Sequence, residues 1–221
     1  MASAARSEQT SGQGHPMRGD QKNPIHAILF DFGGVIAEEG FHEGLKAIAR
    51  SQGLDPQLLE RLGMDTVYDS GYVTGKGNEE DFWRLLRERS GIAGSNGALR
   101  HEILSRFTVR SWMLELVREL RRRGYQTALL SDQTEWLDEL DTQQDFLQAF
   151  DRVFVSYRLG KGKRDASLFD EVIESLGLTP EQSIFIDEAP ANIETANNRG
   201  LRGLLYTDHA TLEAKLWPLL E

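Results

Sequence analysis

The fold of this chain is decided by the stretch Ile28-Leu29-Phe30-Asp31-Phe32-Gly33-Gly34-Val35-Ile36, in which an apolar run ends on a carboxylate and turns through two glycines. A short, continuous apolar run is typical of a strand that is buried on both faces of a parallel sheet. In open parallel sheets the ligand site lies at the carboxyl ends of the strands, so we expect Asp31 at that edge. Paired glycines let the backbone approach a bound group closely and point amides at it.

Similar apolar runs recur along the chain and alternate with helical patterns. The runs occupy residues 25–30, 125–130, 152–155, 183–186 and 203–206. Before the second run, Trp112, Leu116 and Leu120 recur every four residues, which predicts a helix. Strand and helix therefore alternate from residue 112 onward. We predict the α/β class, with a doubly wound, Rossmann-like parallel sheet.

The sequence between the first strand and the helix before the second strand contains helical patterns and no convincing strand. An unstructured loop of that length is uncommon inside a compact domain. We therefore predict an α/β core formed by residues 25–37 and 111–221, with an all-helical cap inserted at residues 38–110. Residues 1–24 are polar, so we expect a disordered tail there, either native or a leader before a start at Met17.

The composition excludes several classes of function. The chain has 221 residues and a formal net charge of −10, which argues against binding to nucleic acid or to an anionic membrane. It contains no cysteine, which excludes disulfides, thiolate metal sites and a cysteine nucleophile. No apolar stretch is long enough to span a membrane, and no secretory signal pattern opens the chain. We expect a cytoplasmic protein with a small-molecule ligand.

Polar side chains follow the other apolar runs near their carboxyl ends. Ser131 ends the second run and can donate a hydrogen bond to a phosphoryl oxygen, and Lys163 follows the third run, where its charge would neutralise a phosphate. Asp187 and Glu188 close the fourth run and suit a hard cation such as Mg²⁺. An Asp31 carboxylate held nearby could attack phosphorus to give an aspartyl phosphate. Taken alone, an Asp after a strand is also a common turn former or helix cap.

The order of these residues resembles the haloacid dehalogenase superfamily of hydrolases, and the resemblance extends over residues 25–207. The segment Ser156–Asp165 is similar to the family's Ser-x-x-x-Gly-x-x-Lys-Pro-Asp, with Arg164 in place of the proline. The segment Phe185–Ile193 is similar to Phe-Val-Asp-Asp-Ser-Pro-Glu-Asn-Val. The cap sequence at Gly71–Trp83 resembles the subgroup that includes a glucose-1-phosphate phosphatase and the phosphatase half of an epoxide hydrolase.

The resemblance implies a magnesium-dependent phosphatase that hydrolyses a small phosphorylated metabolite, such as a sugar phosphate, through an aspartyl phosphate. Asp31 would be the nucleophile, Ser131 would bind the transferring phosphoryl group, and Lys163 would hold the two together. We also expect Asp132 to contribute to substrate binding, although it replaces the family's usual Asn and adds a negative charge next to an anion.

The resemblance also implies the ligands of the magnesium ion. Asp31 and the backbone oxygen of Gly33 would bind it, together with a carboxylate from the fourth motif. Alignment of that motif on Pro190 and Asn192 puts Glu188 at the ligand position. Asp187 would then support Glu188 without binding the ion itself. The two acids could exchange roles without contradicting the sequence.

One departure from the family pattern affects the chemistry. Most phosphatases of the superfamily carry a second Asp two residues after the nucleophile, where it protonates the leaving oxygen, but this chain has Gly33. Such general acid help is worth roughly 10²- to 10⁴-fold. Two alternatives therefore stay open. One is a binding or regulatory protein that kept the fold and lost efficient turnover, and the other is a metal-independent 2-haloacid dehalogenase, in which the aspartate attacks carbon.

Two residues of the predicted cap are further candidates for the site. Glu38, seven residues after Asp31, is a candidate substitute for the missing acid, although a surface residue that opens the cap is the ordinary interpretation. We expect all four tryptophans to be packing residues, and Trp83 is the first candidate for an exception because it lies in the cap.

Overall fold

The computed structural model describes residues 24–220, so the predicted tail lies almost wholly outside the described residues. In this range the strands are Ala27–Phe30 (β1), Gln126–Ser131 (β2), Arg152–Val155 (β3), Ser183–Asp187 (β4) and Arg202–Leu205 (β5). The first helices are Gly40–Ser51 (α1), Pro56–Asp69 (α2), Glu79–Ser90 (α3), Asn96–Leu104 (α4) and Ser111–Arg122 (α5). The later helices are Trp136–Gln144 (α6), Ser156–Leu159 (α7), Ser167–Leu176 (α8), Pro190–Asn198 (α9) and His209–Leu220 (α10). Within residues 24–220, no helix combines the length and the apolarity needed to cross a membrane.

The five strands form one parallel sheet in the order β3-β2-β1-β4-β5. Strand β1 is central and all of its residues are buried, which explains why its sequence is continuously apolar. Phe30 at its end lies opposite Leu129 of β2 and Ile186 of β4. This register brings the carboxyl ends of the three strands together at one edge. The predicted α/β doubly wound sheet is confirmed.

Side chains alternate between two cores, one on each face of the sheet. On one face, Leu29 belongs to a cluster in which the rings of Phe169, from α8, and Phe185, from β4, meet edge to face at 5.3 Å. On the other face, Phe30 belongs to a larger cluster that continues to Phe82 of α3. The second core is therefore shared between the sheet and the helices that follow β1.

Residues 38–110, which we call the helical insertion, contain α1 to α4. Its two ends run side by side, because Glu38 N donates to Thr108 O at 2.9 Å and Arg110 N donates to Ile36 O at 2.8 Å. The chain thus leaves and re-enters the sheet region through two paired segments next to β1, residues 36–38 and 108–110, which we call the neck.

The insertion is held over the carboxyl edge of the sheet by hydrogen bonds to loops that follow β2 and β3. Tyr72 Oη donates to Glu135 Oε1 at 2.9 Å, and Ser156 Oγ donates to Val73 O at 2.6 Å. Both Tyr72 and Ser156 are almost completely buried. These contacts enclose the space between the insertion and the strand ends.

The packing of α8 on the sheet predicts a large effect of Phe169→Ala on stability. Removal of this fully buried ring should lower the free energy of unfolding by about 3–5 kcal/mol. Leu58→Ala is the control, because Leu58 is 46% exposed and its removal should change stability by no more than about 0.5 kcal/mol. Urea denaturation measures both values, and similar losses in the two variants would contradict the described packing.

Candidate active site

The site is organised around the ammonium group of Lys163, which lies between two carboxylates. Lys163 Nζ is 2.8 Å from Asp31 Oδ1 and 2.7 Å from Asp187 Oδ2. All three residues are at most 6% exposed. The loop after β3 thus supplies a cation that links the residue after β1 to the last residue of β4. A buried ion pair of this kind is strongly destabilised if one partner is removed.

Ser131, the last residue of β2, completes the contacts of Asp31. Its hydroxyl donates to Asp31 Oδ1 at 2.7 Å, so the same oxygen accepts from both Ser131 and Lys163. These two bonds fix the plane of the Asp31 carboxylate and leave its second oxygen, Oδ2, for other partners. Parallel register at the sheet edge explains how a serine 100 residues away in the sequence reaches the aspartate.

Both oxygens of Asp187 are occupied by protein donors. Besides Lys163, the backbone amide of Ala189 donates to Oδ1 at 2.7 Å, and the amide of Asn192 lies 3.2 and 3.0 Å from Oδ1 and Oδ2. Ala189 is the cap residue of α9, so its amide is one of the donors that a helix start leaves free. Asp187 therefore orients Lys163 and anchors the turn into α9.

Glu188 differs from its neighbour Asp187 in its partners. Among the described residues no group hydrogen-bonds to Glu188 Oε2, although that oxygen is buried. Carboxylate oxygens of Asp31, Asp187 and Glu188 lie within 4.8 Å of one another. Gly34 makes room for Glu188, because a Cβ at position 34 would lie 2.8 Å from Glu188 Cδ, and its φ of +78° suits glycine. A buried carboxylate with a free oxygen beside two others is the donor set of a hard-cation site.

The electrostatics follow from burial and from the crowding of like charges. Burial raises the pKa of Asp31 from 3.8 to about 6, against the attraction of Lys163. Burial and the charges of Asp31 and Asp187 raise the pKa of Glu188 from 4.5 to about 9. Burial opposes the charge on Lys163, but the carboxylates facing it outweigh that effect and raise its pKa well above 10.5. The site therefore holds one ammonium group that stays charged and more carboxylates than it can neutralise. A bound cation would reduce the repulsion among these carboxylates.

Asp132 lies beside the site but is engaged by the protein. It accepts from the backbone amide of Lys163 at 2.9 Å and from the hydroxyl of Tyr68, which belongs to α2 of the insertion. Burial and the Asp132 charge raise the pKa of Tyr68, so its hydroxyl stays a donor. The guanidinium of Arg164 lies over the Tyr68 ring at 3.9 Å. Asp132 thus connects the loop after β3 to the insertion, and these contacts balance the negative charge noted in the sequence.

A cavity of about 250 Å³ opens between this cluster and the insertion. Polar groups line its floor, among them Asp31, Ser131 and Lys163. The insertion and α6 contribute apolar and aromatic walls, namely Phe41, Met64, Val67, Val73 and Trp136. A small ligand fits in such a space with its charged end on the sheet edge and its remainder between the walls.

The structure places the two cap candidates from the sequence away from the cavity. Glu38 is exposed and forms an ion pair with Arg110 at 2.8 Å, and this bond lowers its pKa. Trp83 is fully buried and donates to Glu79 at 2.9 Å. Glu39 and Trp136 line the cavity instead. The adjacency of Glu38 and Glu39 gave no sign of which would turn inward, because that depends on where α1 begins.

The raised pKa values predict how stability depends on pH when metal is absent. Between pH 4.5 and about 9 the unfolded chain ionises Glu188 while the folded protein keeps it protonated, so stability falls as the pH rises through this range. The variant Glu188→Gln removes that ionisation. In EDTA at pH 8 it should raise the free energy of unfolding by at least about 1 kcal/mol over the wild type. Chemical denaturation at pH 5 and pH 8 measures the difference, and a variant that is less stable at pH 8 would contradict this electrostatic account.

Comparison with known proteins gives relatives for this site. The chain is 26% identical over 210 residues to the bifunctional epoxide hydrolase 2 of Sus scrofa. The aligned region covers 85% of this chain and 37% of that protein. The chain thus spans little more than a third of the length of that relative. It is 24% identical over 195 residues to the D-ribitol-5-phosphate phosphatase of Bacteroides thetaiotaomicron, covering 80% of this chain and 89% of that protein.

Solved structures share the same fold. A haloacid dehalogenase family enzyme from Bacteroides thetaiotaomicron, solved in complex with magnesium and inorganic phosphate, superposes with a TM-score of 0.64 at 22% identity, covering 83% of this chain and 94% of that chain. The family described as haloacid dehalogenase-like hydrolase matches residues 25–200. This match includes Lys163 and the residues around it, namely Asp31, Ser131, Asp187 and Glu188. The chain therefore belongs to the haloacid dehalogenase-like hydrolases.

Proposed function

We propose that this hydrolase is a magnesium-dependent phosphatase that acts on a small phosphorylated metabolite. The observation that carries the proposal is the buried Asp31 carboxylate, held by Ser131 and Lys163 at the floor of the cavity and next to the free oxygen of Glu188. A fixed nucleophile, a fixed cation and a cation site at one point are the parts that phosphoryl transfer needs.

The donors present fit a magnesium ion. Asp31 and Glu188 would hold it, with the backbone oxygen of Gly33 as a third ligand, and Asp187 would support them through its bonds to Lys163 and α9. Glu188 is preferred over Asp187 because the oxygens of Asp187 are already occupied by protein donors. When bound, Mg²⁺ supplies positive charge that neutralises the carboxylates and the phosphoryl oxygens.

The residues of the cluster then divide the reaction between them. The Asp31 carboxylate attacks phosphorus, the bond from phosphorus to the leaving oxygen breaks, and that oxygen takes up a proton. Water next attacks phosphorus, the bond from phosphorus to Asp31 breaks, and the proton of the water stays in the site. The products are an alcohol and inorganic phosphate, with Asp31 restored. Lys163, which has three donor hydrogens, donates to a phosphoryl oxygen while it still holds the attacking carboxylate. Ser131 turns its single hydroxyl proton from Asp31 to another phosphoryl oxygen.

The helical insertion serves, in this proposal, as the cap that selects the leaving group, over an α/β core formed by residues 25–37 and 111–221. The cavity of about 250 Å³ admits a small organic group on the phosphate and excludes a macromolecule. Relatives named as phosphatases support phosphomonoester hydrolysis. Their substrates differ, so the substrate of this chain follows from its own cavity walls rather than from theirs.

The cation site separates this proposal from the two alternatives. A dehalogenase that attacks carbon needs no metal, and the free, buried oxygen of Glu188 beside Asp31 would then have no role. A binding protein without turnover would have no use for a buried carboxylate at position 31, because burying it is unfavourable.

The test of the proposed function is phosphate release from a panel of sugar phosphates, acyl phosphates and p-nitrophenyl phosphate. We expect release with Mg²⁺ and none with EDTA, and the variant Asp31→Asn should reduce kcat by at least about 10³-fold because the amide is not a nucleophile. Asp170→Asn is the control, since Asp170 is paired with Arg199 and lies outside the cavity.

Phosphate release that persists in Asp31→Asn would contradict the mechanism. Absence of release by the wild type across the panel, with halide released from 2-haloacids, would favour the dehalogenase. Absence of both activities would favour the binding protein.

A further inference from the structure

Glu39 is the acidic residue of the insertion that faces the cavity, yet the reaction as described above gives it no part. It is the residue before α1, and its Oε1 accepts from the backbone amide of His42 at 3.1 Å, which caps the helix. Among the described residues, no protein group hydrogen-bonds to Glu39 Oε2. A carboxylate with one oxygen anchored and the other free is held in place and remains available to a ligand.

The free oxygen lies directly over Gly33, two residues after the nucleophile. A Cβ built at position 33 would lie 2.8 Å from Glu39 Oε2, which is closer than real side-chain contacts allow. The Glu39 carboxylate therefore occupies the space into which a side chain at position 33 would project. The same glycine that removes an acid from the first motif makes room for an acid from the insertion.

Glu39 lies on the insertion side of the cavity, and Asp31 lies on its floor at the sheet edge. The nucleophile attacks from the sheet edge, so the leaving oxygen departs toward the opposite side of the phosphoryl group, which is the side of the insertion. Glu39 belongs to the insertion and lines the cavity together with Asp31. Phe41, two residues further along the chain, forms part of the apolar wall where the leaving group would lie.

We propose that Glu39, the residue that caps the first helix of the insertion, is the general acid and base of this hydrolase. As the bond from phosphorus to the leaving oxygen breaks, the Glu39 carboxyl group gives a proton to that oxygen and is left as a carboxylate. The carboxylate then takes a proton from the water that attacks the aspartyl phosphate, which restores the starting state. This role rests on the proposed phosphatase function and extends it to substrates with poor leaving groups.

The substrate class follows from this assignment. An enzyme with no acid at the leaving side would be confined to activated substrates such as acyl phosphates, whose leaving groups depart without a proton. With Glu39 in place, ordinary phosphate esters of alcohols become substrates, because their leaving oxygen must be protonated.

The experiment compares kcat/KM for phenyl phosphate and p-nitrophenyl phosphate, which share an aromatic ring but differ in the basicity of the leaving oxygen. This parameter covers the steps up to leaving-group departure, so the later attack of water does not affect it. Glu39→Gln should lower kcat/KM for phenyl phosphate by about 10²-fold or more and for p-nitrophenyl phosphate by less than about threefold. Gln keeps a side-chain oxygen for the bond to His42, so the start of α1 is preserved.

Glu38→Gln is the matched control, because Glu38 is the adjacent carboxylate and pairs with Arg110 outside the cavity. It should leave the ratio of the two substrates at the wild-type value. Equal losses on both substrates in Glu39→Gln would indicate a structural role and overturn the proposal, as would no loss on either. A wild-type protein that hydrolyses neither ester would instead overturn the proposed function. That outcome is distinct from failure of the Glu39 proposal, because it is observed in the wild type rather than in Glu39→Gln.

Discussion

The buried ammonium of Lys163 is the interaction on which the rest of the site depends. It contacts Asp31 and Asp187 at 2.8 and 2.7 Å, in a region with almost no exposure to water. Without it, neighbouring carboxylates from two strands would repel each other at the sheet edge, and one of them would have to take up a proton. With it, Asp31 keeps a pKa of about 6 despite its burial, so the carboxylate is available near neutral pH. The remaining acid, Glu188, is not neutralised by the protein, and its raised pKa and free oxygen indicate a need for a cation.

A second constraint is the narrow neck that joins the helical insertion to the sheet. The two crossing segments are paired through Glu38 and Arg110, and the insertion contacts the strand-end loops through Tyr68, Tyr72 and Val73. Because α1 starts immediately after the neck, the carboxylate of Glu39, the residue that caps α1, lies over Gly33. The nucleophile Asp31 and the cavity-facing Glu39 at the start of the insertion are therefore only a few residues apart in sequence. This arrangement connects substrate enclosure with the chemistry of the leaving group.

The sequence alone predicted the sheet and the residues at its edge, because both rest on simple physical rules. Strands buried on both faces must be apolar throughout, and the residues that end them must meet at one edge if the strands are parallel. What the sequence did not predict depends on side-chain direction. Glu38 was the candidate acid that the sequence suggested, yet the start of α1 turns the neighbouring Glu39 inward and leaves Glu38 to pair with Arg110. The hydrogen bond between Tyr68 and Asp132 joins residues 64 positions apart, and no local pattern encodes such a contact. The respective roles of Asp187 and Glu188 became distinguishable only once their partners were visible.

The central claim is that the Asp31 carboxylate attacks phosphorus. The most direct measurement is acid quenching of the enzyme during turnover of a substrate labelled with ³²P, followed by digestion and identification of the labelled peptide. The account predicts label on the peptide that contains Asp31, released by alkaline hydroxylamine as expected for an acyl phosphate, and absent in Asp31→Asn. Label on another residue, or rapid turnover with no label retained on the protein under any quench time, would contradict it.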